Sequence, residues 1–272
     1  MTQVSSKLEL LEKILTDMRS VLVAYSGGAD STFLLKVASN VLGDKAIGVT
    51  ASSETYTPKE LQAARQNAEL IGAIHIIVYT NELDDPNFAS NPPDRCYYCK
   101  TELYGKLAGL AKQHGLDYVI DGSTCDDEKD FRPGKRAAAE FRVRSPLVDA
   151  GFTKEEIRTL SKDMNLPTWD KPPLPCLSTR FPYGAQITRE KVLRVAKAEE
   201  FLAGFGIRQL RVRDHGNIAR IEVPRSDMPM FLDEAVSKQI TEIFKTLGYM
   251  YVALDLQGYR MGSMNEPLQE KK

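Results

Sequence analysis

In the first half of the chain, short apolar runs alternate with stretches of helical spacing. Residues 5–19 carry apolar side chains at three- and four-residue intervals, which predicts an amphipathic helix. The run VLVAY at 21–25 predicts a buried strand, and helical spacing returns over 31–42. The same alternation predicts strands at 46–50, 74–79 and 118–121, with helices at 58–72 and 99–114. Strands that are apolar throughout, separated by helices of this length, form βαβ units around a parallel sheet covered on both faces.

A Pro-rich break, KPPLP at 171–175, reads as a linker. Beyond it the order changes to a helix at 189–205, two strands at 209–213 and 218–223 joined across DHGN, a helix at 233–247 and a strand at 249–254. Adjacent strands joined by a tight turn, then a helix and a strand, predict a small α+β domain. The expected division is an α/β domain over 1–170 and an α+β domain over 171–272.

Composition narrows the function classes. With 272 residues, 42% hydrophobic and 27% charged, the chain suits a soluble globular protein with a real core. It holds no run of 18 apolar residues, and Glu9 and Glu12 interrupt the place where a signal peptide would be apolar, so the expectation is a cytoplasmic protein without a membrane span. A net charge of −1 argues against a large nucleic-acid footprint. Four cysteines are too few for a disulfide scaffold, so those at meaningful spacing read as ligands or reactive thiols.

Two motifs carry chemistry. SGGADS at 26–31 follows the first strand and precedes a helix. Paired glycines let the backbone approach a ligand closely, and the following helix offers unpaired N–H groups, so the place suits phosphate. Ser26 and Ser31 add hydroxyls, and Asp30 can reach a magnesium ion bridging the phosphates. No lysine follows the glycines as a Walker A loop requires. The second motif is Cys96 and Cys99 in RCYYC, a spacing that serves iron–sulfur clusters, zinc sites and disulfide exchange alike. Arg211 and Arg213 alternate with apolar neighbours on a predicted strand, so their guanidinium groups face one way, as phosphate recognition needs. A solvated strand face is the competing reading. His75, His114 and His215 form no triad or HExxH spacing.

SGGADS resembles the pyrophosphate loop of the PP-loop ATP pyrophosphatases. With DGSTCDDEKDFRPG (121–134), CLSTRFPYG (176–184), RVRDHGNIARIEVP (211–224) and LDLQGYRMGSMN (254–265), the chain is similar over nearly its whole length to the LarE-type sulfur transferases. That resemblance implies ATP and Mg2+ at Ser26, Gly27, Gly28, Asp30, Ser31 and Gly122, and adenylation of a carboxylate of a pyridinium-3,5-dicarboxylate mononucleotide followed by its conversion to a thiocarboxylate. It implies Cys176 as the sulfur-delivering residue and Arg211, Arg213 and Thr179 as phosphate contacts. Cys96, Cys99 and Cys176 together resemble the ligand set of a three-cysteine, [4Fe–4S]-dependent variant with an open iron for external sulfide. Sulfur given up by Cys176 itself is the alternative, and tRNA thiolation or a nucleotide-binding module with structural zinc are others. Glu199 and Glu222 match family carboxylates that hold a divalent metal, but Met230 stands where the third should be, with Asp227 and Asp233 nearby. Asp126, Asp127, Asp130 and Arg132 are expected behind the site, and Cys125 as an ordinary buried thiol. The resemblance also implies a small-molecule mononucleotide, a sulfide donor, other nickel-pincer nucleotide biosynthesis proteins and further copies of the chain as partners.

Overall fold

The computed structural model describes residues 3–129, 132–172, 175–260 and 262–266. In chain order the elements are α1 (Gln3–Met18), β1 (Val21–Ala24), α2 (Ala29–Leu42), β2 (Ala46–Ser52), α3 (Pro58–Leu70), β3 (Ile74–Tyr79), α4 (Pro86–Ala89), α5 (Arg95–Gln113), β4 (Tyr118–Asp121), α6 (Gly134–Glu140), α7 (Pro146–Asp149), α8 (Lys154–Asp163), α9 (Arg189–Ala203), β5 (Arg211–His215), β6 (Ile218–Glu222), α10 (Glu234–Thr246) and β7 (Tyr251–Leu254). They divide into two units, Met1–Glu82 with Asp94–Leu174, and Leu83–Pro93 with Pro175–Lys272.

The first unit is built on a four-stranded parallel sheet in the order β3-β2-β1-β4. Its inner strand β1 reads VLVA because both faces are covered: Val21 and Val23 pack with Leu11, Leu15 and Phe33, whereas Leu22 packs with Tyr104 and Leu107 of α5. Helix α3 starts where Thr57 and Glu60 cap each other's backbone and Pro58 opens the first turn. Thr153 and Glu156 form the same box at the start of α8, a helix that the apolar spacing did not predict.

In the second unit β5 and β6 pair antiparallel across a turn at Gly216 (φ +72°), and β6 pairs parallel with β7. Val212, Ala219 and Ile221 face an apolar cluster with Leu202, Ile240 and Phe244. Arg211, Arg213 and Glu222, alternating with them, fall on the other face. The segment Leu83–Pro93, placed by sequence within the first domain, belongs here instead. Asn91 donates from its side chain to the carbonyls of Phe181 and Pro182, and its own carbonyl accepts from the Gly184 amide. Those bonds join positions some 90 residues apart, so no local pattern announces them. Among the described residues no helix is long and apolar enough to cross a membrane.

Candidate functional site

The loop between β1 and α2 turns on Gly27, whose φ of +68° favours glycine and where a Cβ would meet Ala64 Cβ at 2.9 Å. Ser26 and Ser31 stand with their hydroxyls 3.1 Å apart, and the Ser31 hydroxyl donates to the Gly28 carbonyl at 3.3 Å. The Tyr56 hydroxyl donates to the Ser26 carbonyl at 2.6 Å, bracing the loop from the segment before α3. Gly28 caps α2 without a side-chain bond, and its own amide donates to the Ser26 hydroxyl at 3.4 Å. Gly122 explains itself sterically: a Cβ there would stand 3.0 Å from the Ser31 amide nitrogen. Glycine lets the end of β4 close on the loop, at the carboxyl edge of the sheet where such folds bind ligands.

Asp30, in the first turn of α2, is half-buried. Burial raises its pKa, while the charges of Lys154, Arg158 and Arg132 pull it back and Asp127 adds to the rise. A carboxylate held this way gains from a cation beside it, which suits Mg2+. Asp127 accepts from the Thr124 amide and hydroxyl and pairs with Lys154 and Arg132, while Asp126 accepts from the Lys154 amide. These two acids therefore tie the loop after β4 to the start of α8. Asp130 lies outside the described residues.

Asp121 is a further candidate that no sequence motif singles out. Its carboxylate accepts from the hydroxyls of Tyr104 (3.1 Å), Ser123 (3.0 Å) and Ser145 (2.7 Å), at the carboxyl end of β4. The signal available was its position as the last, acidic residue of an apolar strand.

The spacing predicts a helix from Cys99 with Cys96 ahead of it, but α5 begins at Arg95 and carries both in its first two turns. Three residues apart, they share a helix face. Lys100 follows them: burial works against its charge, but Tyr104, Cys99, Asp121 and Cys96 outweigh that and raise its pKa. Cys125 points elsewhere, its thiol 3.9 Å from the Val148 carbonyl.

Cys176 is half-buried at the start of a 3-10 turn, Leu177–Arg180. Its carbonyl accepts from the Thr179 hydroxyl (3.0 Å) and from Arg180 (3.2 Å). Arg180 grips Glu199 with two parallel bonds of 2.8 Å, and Glu199 also accepts from the Val212 amide. Arg213 donates to the Thr179 carbonyl (2.9 Å), to Glu222 (2.7 Å) and to Ser263 (3.0 Å), and Arg220 reaches the other oxygen of Glu222. Arg211 sits over the ring of Tyr259, and burial together with Arg180 lowers its pKa.

Arg211 and Arg213 are 3% and 4% exposed, so the solvated-face reading does not hold. Four guanidinium groups, Arg180, Arg211, Arg213 and Arg220, gather around two carboxylates, Glu199 and Glu222. Arg220 also faces Asp255 at 3.7 Å; the positive charge that remains suits an anion, and Arg213 Nε is buried without a hydrogen-bond acceptor among the described residues. The carboxylates themselves do not fit a divalent metal: both oxygens of each already accept from arginine.

No family model matches the chain. An uncharacterized protein of Synechocystis is 46% identical over 97% of this chain and 98% of its own length. The pyridinium-3,5-bisthiocarboxylic acid mononucleotide synthase of Lactiplantibacillus plantarum is 39% identical over 98% of this chain and 97% of its own. A more distant similarity, 24% identity over 57% of this chain and 53% of the relative, reaches the tRNA-specific 2-thiouridylase MnmA of Desulforamulus reducens.

Proposed function

The chain belongs to the LarE-type family of PP-loop sulfur transferases, and from that premise we propose that it uses ATP to adenylate a carboxylate of pyridinium-3,5-dicarboxylate mononucleotide and replaces AMP with sulfur. The observation that carries this reading is the match along 98% of the chain to the mononucleotide synthase.

Each half of the chemistry has residues suited to it. Ser26, Gly27, Gly28 and Ser31 would hold the departing pyrophosphate by backbone amides and hydroxyls, and Asp30 would ligate Mg2+, which would neutralise its charge. A carboxylate oxygen leaves poorly and AMP leaves well, so adenylation opens the acyl carbon to a sulfur nucleophile. Hydrosulfide then forms the carbon–sulfur bond as the bond to AMP breaks, giving thiocarboxylate, AMP and a proton. Arg211 and Arg213 bind the phosphate of the mononucleotide, and Thr179 and Arg180 fix the backbone of Cys176.

Cys96, Cys99 and Cys176 would be the donors to a [4Fe–4S] cluster, since thiolates are the ligands such clusters take. A bound cluster would supply replenishable sulfide as the nucleophile. Glu199 and Glu222 are given no metal in this reading.

Protein purified and reconstituted without air should contain about four iron and four acid-labile sulfide per chain. With ATP, Mg2+, sulfide and the dicarboxylate mononucleotide it should release AMP, pyrophosphate and a thiocarboxylate. Zinc without labile sulfide would end the cluster assignment. Thiolation of tRNA in place of the mononucleotide would end the substrate assignment.

A further inference from the structure

The pyrophosphate loop carries no lysine of its own, yet a lysine meets it from 144 positions away. Lys171 Nζ donates to the Gly27 carbonyl at 2.9 Å, at the residue whose positive φ turns the loop. The backbone that presents this side chain is clamped. Arg158 of α8 donates one guanidinium nitrogen to the Trp169 carbonyl (2.8 Å) and another to the Lys171 carbonyl (2.7 Å), and the Lys171 amide donates to Thr168 at 3.1 Å. Lys162 covers the Trp169 ring at 4.9 Å. A segment that reads in sequence as the entrance to a Pro-rich linker is, at Lys171, part of the loop's wall.

Resting on the ATP-dependent reading above, we propose that Lys171 supplies the cation of the pyrophosphate site, its ammonium shared between the Gly27 carbonyl and the β- and γ-phosphate oxygens of bound ATP. An ammonium carries three donors, of which the carbonyl takes one. Charge–charge hydrogen bonds to phosphate are stronger than a bond to a neutral carbonyl, so arrival of the anion improves the partners of a half-buried cation. Burial lowers the Lys171 pKa and the Glu60 carboxylate opposes it, so a phosphate at the loop would act in the same sense as Glu60 and favour the ammonium. The role is that of the lysine in a Walker A loop, a point charge on the outer phosphates, supplied from a distant part of the chain.

The test is equilibrium binding, in the absence of mononucleotide, of Mg2+-α,β-methylene-ATP and of AMP to the full-length protein and to Lys171→Met and Lys171→Gln. Glutamine keeps a donor for the Gly27 carbonyl and loses the charge, so it guards against a variant that fails to fold. Both variants should lose about ten- to a hundred-fold in affinity for the triphosphate analogue and stay within two-fold for AMP, with Lys171→Arg recovering most of the loss. Equal loss for both nucleotides would reduce Lys171 to a structural strut, and no loss for either would remove it from the site. Binding with the expected split in a protein that makes no thiocarboxylate would overturn the sulfur-transfer reading and leave Lys171 in place.

Discussion

Asp30 is under opposed demands, and the conflict can be measured. Its folded pKa is raised from 3.8, chiefly by burial, so the ionised carboxylate present at neutral pH is disfavoured by the fold. The cost is absent below 3.8 and grows as pH rises through the folded value, where the bare protein holds a charge it would rather not. Asp30→Asn removes that charge. The variant should therefore melt without Mg2+ at a temperature at least as high as the parent, and lose about a hundred-fold or more in AMP formation because Mg2+ loses its ligand. Lower stability together with intact activity would contradict the assignment. Glu222 is held by ion pairs instead. It is fully buried between Arg213 and Arg220, so Glu222→Gln strands buried guanidinium charge and should cost about 3–5 kcal/mol in chemical denaturation. Addition of Mg2+ or Mn2+ should not protect the second unit in hydrogen exchange, as it would if Glu199 and Glu222 ligated a metal.

At the scale of elements, the pairing of β2 with β3 carries a pH dependence. His75 on β3 hydrogen-bonds through Nε2 to the Thr50 hydroxyl at 2.8 Å, and that hydroxyl donates to the Tyr25 carbonyl just before the pyrophosphate loop. Burial, then the charge of Arg65, lowers the His75 pKa below 6.5. The stabilising contribution of the neutral ring is therefore complete above 6.5 and is lost as pH falls through the lower folded value. His215, lowered by burial and by Arg220, contributes in the same direction. Thermal melts from pH 8 to pH 5 should fall in midpoint below 6.5, and His75→Gln should flatten part of that slope; an unchanged slope would place the effect elsewhere. Period and spacing predicted β1, β3 and β4 well, because each is a run of apolar residues that needs no distant partner to be recognised. Helix α8 was missed for want of a wide apolar stripe, although Thr153 and Glu156 spell a capping box. The early start of α5 was hidden because its first turn, RCYYC, mixes chemistry with packing. Lys171 and the segment Leu83–Pro93 were illegible for a different reason, since their partners lie far away in sequence and only the folded chain selects them.

For the molecule as a whole, the proposed roles of the cysteines predict how often one chain can act. Cys176 alone can give up one sulfur and become dehydroalanine, so a chain using that route makes one thiocarboxylate and is spent. Three thiolates that hold a cluster leave every protein sulfur in place and draw the nucleophile from solution. Reconstituted protein with excess sulfide, ATP and mononucleotide should then form several thiocarboxylates per chain, with the mass of Cys176 unchanged. Cys96→Ala and Cys99→Ala should each fall to one product per chain or fewer, and Cys176→Ala to none. These variants also separate loss of chemistry from loss of fold: Cys96 is exposed and Cys99 half-buried, outside the buried clusters of the first unit, so their melting points without cluster should match the parent's. A parent that stops at one product per chain, with Cys176 lighter by the mass of H₂S, would make the protein a single-use sulfur donor and leave the two cysteines of α5 to another task.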